Sequence, residues 1–302
     1  MFTLKPQAAV LLGVLAVSFA TPLIKLSAAP AAVIAFYRLF LAALATLLLA
    51  RGKLEPVPQR FRWYIFLAGI FLGLHFAVWI ASLSFTSVLS SVALVTLQPV
   101  IVAVASHYFF KEHLPLMAYL GIALALAGGL GVAAADFFTQ GGNLYGDLLA
   151  FLGAVFISGY LVLGRFVRNS IGTFTYTFWA YLFAALSLLP LIGVRHIPLA
   201  PYPLADWLIF AALALVCTLL GHSVFNWALA YLSPTTVTVA ILGEPVGACW
   251  WDYLFFGQLP NPPQLIAGVL LMGGVALFLI AANSSSNHAK NAMAKKHVKI
   301  FP

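Results

Sequence analysis

Apolar residues run in long blocks along this chain, with no alternation of period two and little one-sided helical striping. Ten blocks come close to the roughly 20 residues a helix needs to cross a bilayer. They cover residues 8–27, 31–50, 63–83, 87–110, 115–135, 146–166, 173–193, 205–226, 234–257 and 263–282. Polar punctuation divides them at Arg51 to Arg62, Asp136 to Asp147, Arg195 to Asp206, Ser233-Pro234 and Pro260 to Pro263. Several junctions are short enough to make consecutive helices antiparallel neighbours, and none could hold a soluble domain. Backbone in hydrocarbon must satisfy its own hydrogen bonds, so the pattern predicts an all-α polytopic membrane protein of ten transmembrane helices. The polar stretch 284–302, with Lys290, Lys295, Lys296 and Lys299, predicts a cytoplasmic tail suited to anionic headgroups.

Composition narrows the class. Hydrophobic residues make up 63% of the chain and charged ones 7%, against about 25% charged in a soluble domain. An ordinary soluble enzyme, a disordered chain and a nucleic-acid-binding domain are excluded, so the net charge of +8 is read as a topology signal. With the N-terminus in the cytoplasm, Lys5, Arg51, Lys53, Arg60, Arg62, Lys111, Arg165, Arg168 and the tail lysines fall on the cytoplasmic side. Arg195 and Lys25 fall opposite, and Arg38 lies within a span. This positive-inside bias places both termini in the cytoplasm of a multi-pass protein of the inner or plasma membrane. Lys5 and Ser27-Ala28-Ala29 give the first block the outline of a signal peptide. Its length and its counterpart later in the chain favour a span instead.

The two halves align. Gly13 and Ser18 match Gly153 and Ser158; Gly73 and Trp79 match Gly221 and Trp227; Gln98-Pro99 matches Glu244-Pro245; Glu112 matches Gln258. The separation between partners changes by only a few residues along the chain. Each half holds five predicted helices, an odd number, so the halves enter the membrane in opposite directions. Inverted repeats of this kind are characteristic of secondary transporters.

The stretch from Gly221-His222-Ser223 through Asn226-Trp227 to Ser233-Pro234, followed by Leu242-Gly243-Glu244-Pro245 and Gln264 to Gly268, resembles the EamA domain of the drug/metabolite transporter superfamily. Arg38, Gln98-Pro99, Lys111-Glu112 and Gly121 repeat the pattern in the first half. The resemblance implies two tandem EamA units, 1–141 and 142–283, in one membrane domain. It also implies a central cavity for a small metabolite, and it specifies no substrate. The acidic residue usual after the long helix of each unit is Glu112 in the first and Gln258 in the second.

Glu244 is the sharpest chemical feature. It sits near the middle of its span, where an ionised carboxylate costs several kcal/mol unless it is paired, protonated or wet. It is the expected coupling residue, or the contact for a cationic substrate group, and its repeat mate Gln98 is neutral. His75 and Trp79 share one helix face, as do His222 and Asn226 beside Trp227. With Ser18 and Ser158, these side chains form the expected substrate pocket. Pro99 and Pro245 are expected mid-helix hinges. Arg38 is expected to pair with an acid or a substrate carboxylate, or to snorkel. Trp250, Trp251 and Asp252 suggest an interfacial aromatic belt. Small residues at Gly121, Ala125 and Gly129, and at Gly268 and Gly273-Gly274, favour close helix contacts within a monomer or across a homodimer. Cys217 and Cys249 read as small buried hydrophobes. No metal or cofactor is expected, because the seven histidines show no ligand spacing and no phosphate-binding GxxxxGK[ST] loop occurs. The expected function is secondary transport of an amino acid, nucleobase or amine-like compound. An intramembrane enzyme, or a non-transporting scaffold or sensor, is the alternative. A GxSxG elbow, a paired-carboxylate motif and a metal set are all missing for the enzyme.

Overall fold

The computed structural model describes residues 5–111, 114–140, 143–259 and 261–298. Glu112 and Lys299 lie outside the described residues. The chain runs as α1 (Pro6–Ser18), α2 (Ala20–Leu26), α3 (Ala31–Leu49), α4 (Gln59–Ser82), α5 (Val88–Val95), α6 (Gln98–Phe110) and α7 (Leu116–Gln140). It continues as α8 (Leu144–Arg168), α9 (Thr173–Val194), α10 (Leu204–Ala212), a π-helical segment (Leu213–His222), α11 (Ser223–Ala228), α12 (Pro234–Ile241), α13 (Glu244–Phe256) and α14 (Pro262–Val298). No strand occurs among the described residues. The tail expected beyond residue 283 continues α14 as helix to Val298.

Among the described residues, seven helical stretches are long and apolar enough to cross a membrane: 6–26, 31–49, 59–82, 88–110, 144–168, 173–194 and 204–228. Shorter apolar helices cover Leu116–Val132 and Pro262–Phe278. The block predicted at 234–257 is divided into α12 and α13, carries Glu244 and Asp252, and falls outside that set.

Local sequence sets the helix starts. Ser87 caps α5 by accepting from Ser90 N at 3.1 Å, and Ser233 caps α12 by accepting from Thr236 N at 3.2 Å, each satisfying one orphan N–H of a first turn. The two broken stretches also end alike, with Lys111 after α6 and Gly257 after α13 both in the left-handed conformation. Each break is a short turn held by i→i+3 bonds, Leu97 N to Leu94 O at 3.1 Å and Gly243 N to Ala240 O at 3.1 Å. Pro99 and Pro245 therefore stand in the first turn of a new helix, where the missing N–H costs least, and do not kink a continuous one. Each still withholds the donor that would have bonded the carbonyl four residues earlier, on Val95 and Ile241.

One large apolar cluster spans α1 to α4, α8 to α10, the π-helical segment and parts of α11 and α12. A second joins α7, α12 and α14. Residues Gly121 and Gly274, predicted for close contact, lie in the α7–α14 seam together with Gly128. Gly268 and Gly273 face open space. A Cβ on Gly128 would stand 2.3 Å from the backbone N of Leu271, and one on Gly274 2.3 Å from that of Ala125. Backbone cannot yield as a flexible side chain would. Gly128→Val should therefore destabilise the protein by about 1–3 kcal/mol, read as a lower thermal midpoint in detergent, whereas Gly273→Ala should leave the midpoint unchanged.

Candidate functional site

The breaks at residues 96–97 and 242–243 lie beside a cavity. Its polar wall is Arg38 from α3, His75 and Trp79 from α4, Gln98 from the first turn of α6, His222 from the end of the π-helical segment, and Glu244 from the first turn of α13. Val17, Ala20, Val95, Ile157, Leu161, Phe225 and Ile241 supply the apolar wall. Five of the nine side chains expected from the sequence thus converge: His75, Trp79, Gln98, His222 and Glu244.

Arg38 joins them, and its burial decides between the readings open from sequence: at 1% exposure it does not snorkel. Its Nε donates to Thr218 Oγ1 at 2.8 Å, and its guanidinium carbon lies 4.1 Å from the centroid of the Phe76 ring. Thr218 is held in turn by donating to the Leu213 carbonyl at 3.0 Å, five residues back along the π-helical segment. The widened turn thus sets the acceptor that orients the guanidinium. Nothing in the sequence of 213–222 announces a π-helical turn, and such turns are frequent at functional sites.

The aromatic wall is ordered by ring contacts. His75 and Trp79 stack with centroids 5.9 Å apart and planes within 4°, and the His75 and His222 rings stand 6.5 Å apart. His75 Nδ1 lies 2.9 Å from the Gly153 carbonyl, which fixes the ring against α8.

Half of the buried polar side-chain atoms left without a partner among the described residues line this cavity; the others, Ser106 Oγ, Tyr176 Oη and Asn226 Oδ1, lie outside it. Arg38 Nη1, Trp79 Nε1 and Gln98 Oε1 are buried with no hydrogen-bond partner. A buried group left in that state costs about 1–3 kcal/mol. The acidic residues show the same contrast. Asp147 accepts from Thr86, Asp206 from Ser27, Asp252 from Lys25 and Glu55 from the Gly172 N–H. Glu244, 9% exposed, has no hydrogen bond or ion pair among the described residues. Its place in the first turn of α13 gives an ionised carboxylate the positive end of the helix dipole.

The other four expected residues lie elsewhere. Ser18 Oγ donates to Leu15 O at 2.9 Å and accepts from Trp251 Nε1 at 3.1 Å, tying α1 to α13. Ser158 Oγ donates to Ala154 O at 2.6 Å within α8 and lies 3.3 Å from the Gln98 carbonyl, which ties α8 to the break before α6 without lining the cavity. Asn226 Nδ2 donates to Tyr160 Oη at 2.5 Å, while the Asn226 carbonyl accepts from Arg168 Nε at 2.8 Å. Trp227 packs on Tyr231, with ring centroids 4.9 Å apart. The widened turns just before α11 give this stretch a different rotation from the regular α4, so His222 reaches the cavity and Trp227 does not. Of the expected aromatic belt only Trp250 faces outward; Trp251 packs on Phe19 at 4.8 Å, and Asp252 pairs with Lys25 at 2.9 Å. Cys217 and Cys249 are both free thiols. No cluster of three or more potential metal ligands occurs among the described residues.

An all-helical, multi-pass membrane protein with a polar cavity beside two interrupted helices is the architecture of a transporter. The profile of the EamA-like transporter family matches residues 5–134 and again 144–280, and the chain belongs to that family, with two tandem EamA units. Among its relatives is an uncharacterised transporter of Bacillus subtilis, YdfC, 27% identical over 88% of this chain and 87% of that protein. Another is the pseudopaline exporter CntI of Pseudomonas aeruginosa, 25% identical over 80% of this chain and 84% of the exporter. A solved crystal structure shares the fold with a TM-score of 0.70 at 20% identity, covering 92% of this chain and 96% of the other.

Proposed function

We propose that this protein is a secondary transporter. It moves a small organic metabolite of the amino-acid, nucleobase or amine class across the inner or plasma membrane by alternating access. The observation that carries this reading is the cavity itself, in which Arg38 Nη1, Trp79 Nε1 and Gln98 Oε1 are buried without a partner among the described residues, beside Glu244. A ligand bound at one stage of a cycle would satisfy these groups together. The chain is read as ten spans in two inverted five-helix repeats with both termini cytoplasmic. Three features support that reading: the matching serine caps at Ser87 and Ser233, the matching breaks before Gln98-Pro99 and Glu244-Pro245, and the matching left-handed residues Lys111 and Gly257. Interrupted helices meeting at mid-membrane are a recurrent way of building transporter sites. The exporter named among the relatives supports movement outward.

Counterflow in proteoliposomes tests this reading. Vesicles loaded with an unlabelled candidate should take up the labelled form faster than empty vesicles do. A panel of amino acids, nucleobases, polyamines and quaternary amines that gives no protein-dependent exchange would refute it. Within that assay, Trp79→Ala should weaken substrate affinity by about 1–3 kcal/mol if an aromatic moiety stacks on the indole. Trp227→Ala, outside the cavity, should leave affinity unchanged. Equal losses in the two variants would mean that Trp79 acts through packing alone.

A further inference from the structure

A second cavity lies between the first turns of α4 and α9 and shares no lining residue with the polar one. It holds about 440 Å³, within the roughly 300–1,000 Å³ of small-ligand sites. Residues 54–57 of the loop before α4 line it, with Arg62 and Ile65 of α4 and Trp179 and Phe183 of α9. The loop is pinned to the start of α9. Glu55 N donates to Thr175 Oγ1 at 2.9 Å, and Glu55 Oε2 accepts from Gly172 N at 2.9 Å. Charge here is one-sided. Between residues 51 and 62 the exposed cations are Arg51, Lys53, Arg60 and Arg62, and the acid is Glu55, already engaged with Gly172. Arg62 donates through Nε to the Val57 carbonyl at 3.2 Å, which holds the guanidinium at the cavity, and it forms no ion pair among the described residues.

Beyond the cations the wall is aromatic. Trp179 and Phe183 stack with ring centroids 5.6 Å apart, and Phe66 meets Phe183 edge-on at 5.4 Å. Phe183 stands ten residues into α9, about 15 Å along its axis, or half of the roughly 30 Å hydrocarbon thickness. The loop joins two helices long enough to span, 31–49 and 59–82, so its end of the cavity stands at a membrane–water boundary. We propose that this cavity binds an anionic phospholipid, with the phosphate on Arg62 and one acyl chain along Trp179 and Phe183. The two ends of the cavity ask for the two ends of such a molecule. A soluble anion would leave the aromatic wall uncovered, and a neutral apolar compound would leave Arg62 unmatched. A choline headgroup would add a cation to a rim that already holds four. An ethanolamine headgroup would find an acid only in Glu55, which is engaged with the Gly172 N–H. In the proposed topology the loop is cytoplasmic, on the side where anionic lipids set a negative surface potential. The site is separate from the transport cavity, and it stands or falls independently of the transporter reading.

Native mass spectrometry and lipid-induced thermal shift on the full-length purified protein test the site. The probes are dioleoyl phosphatidylglycerol, the ethanolamine and choline lipids with the same chains, and glycerol 3-phosphate as a headgroup without chains. A single phosphatidylglycerol should stay bound per chain and raise the thermal midpoint. It should bind roughly 5- to 30-fold more tightly than either zwitterionic lipid, the contribution of one or two cations near an anionic headgroup. That preference should shrink in high salt, because exposed cations are screened. Arg62→Gln should weaken phosphatidylglycerol about fivefold, and Arg62→Lys, which keeps the charge, should retain most of the binding. Arg195→Gln, at the other membrane face in the proposed topology, should change nothing. Arg62 is exposed, so its replacement leaves the apolar core intact. Equal binding of the three lipids would overturn the proposal, as would unchanged phosphatidylglycerol affinity in Arg62→Gln. Glycerol 3-phosphate binding as tightly as the lipid would make this a site for a soluble phosphate and overturn the lipid. A preference for the ethanolamine lipid would overturn the anionic headgroup.

Discussion

Replacing Glu244 with Gln is expected to abolish the pH dependence of transport and leave the protein folded. Among the described acidic side chains Glu244 alone has no hydrogen-bonding partner. The titratable and charged groups that share its cavity are Arg38, His75 and His222. A cavity that alternates between wet and closed states changes the cost of an ionised carboxylate between those states. A ligand, including a proton, moves an equilibrium only through its differential affinity for the two states. Glutamine keeps the shape and removes the charge, and the matching position in the other half, Gln98, already carries it. In proteoliposomes an inside–outside difference of one pH unit is worth about 1.4 kcal/mol, or about tenfold in accumulation for one coupled proton. The wild type should show that dependence and Glu244→Gln should show none, with His222→Gln run beside it because an imidazole is the other group suited to carry a proton near neutrality. Full rate and full pH response in Glu244→Gln would make the residue structural. Loss of the response only in His222→Gln would move the coupling site across the cavity.

Much of this site was legible from single residues because of what hydrocarbon penalises. A carboxylate, two histidines and a glutamine inside apolar blocks are each expensive, so each needs a reason, and the internal repeat brought them together. Arg38 was visible by the same logic. Sequence could not choose between a cavity and a snorkelling side chain, because that depends on which way α3 faces. Facing is set by the packing of α3 on α9 and the π-helical segment, and no local pattern reports it in a block that is apolar on every side. Trp227 and Asn226 show the converse error. Their spacing matched that of α4, but spacing converts to a helix face only if the turn is regular, and the π-helical stretch before them is not. The serines misled for a third reason: a hydroxyl in a membrane helix can satisfy itself on a nearby backbone carbonyl, as Ser158 and Ser18 both do. Pro99 and Pro245 read from the sequence as mid-helix hinges. Their role changed because the chain breaks just ahead of them, which turns a kink into a helix start.

Cross-linking the seam between α2 and α13 is expected to stop transport while sparing substrate binding. At this seam Lys25 Nζ lies 2.9 Å from Asp252 Oδ1 and 4.2 Å from the centroid of the Phe256 ring. Just below, Phe19 contacts Trp251 and Phe255, and Trp251 donates to Ser18. In the proposed topology this seam lies between the cavity and the membrane face opposite the cytoplasmic termini, where it would close one route to the site. Alternating access requires that such a route open in one state and seal in the other. The ion pair is partly buried, with side-chain exposures of 26% and 12%, so water reaches it and parting it costs less than breaking a fully buried pair. It can part during a cycle, whereas a covalent bridge cannot. Lys25→Cys with Asp252→Cys, in a background where Cys217 and Cys249 are replaced by Ala, supplies the attachment points. A short bis-maleimide should reduce counterflow to the level of empty liposomes, a longer flexible one should restore most of it, and ligand-induced thermal shift should persist in both. Full transport with the short bridge in place would show that this seam stays shut throughout the cycle. The moving boundary would then lie on the opposite pair of elements, α6 against α8, where Phe110 and Phe166 meet with ring centroids 4.7 Å apart.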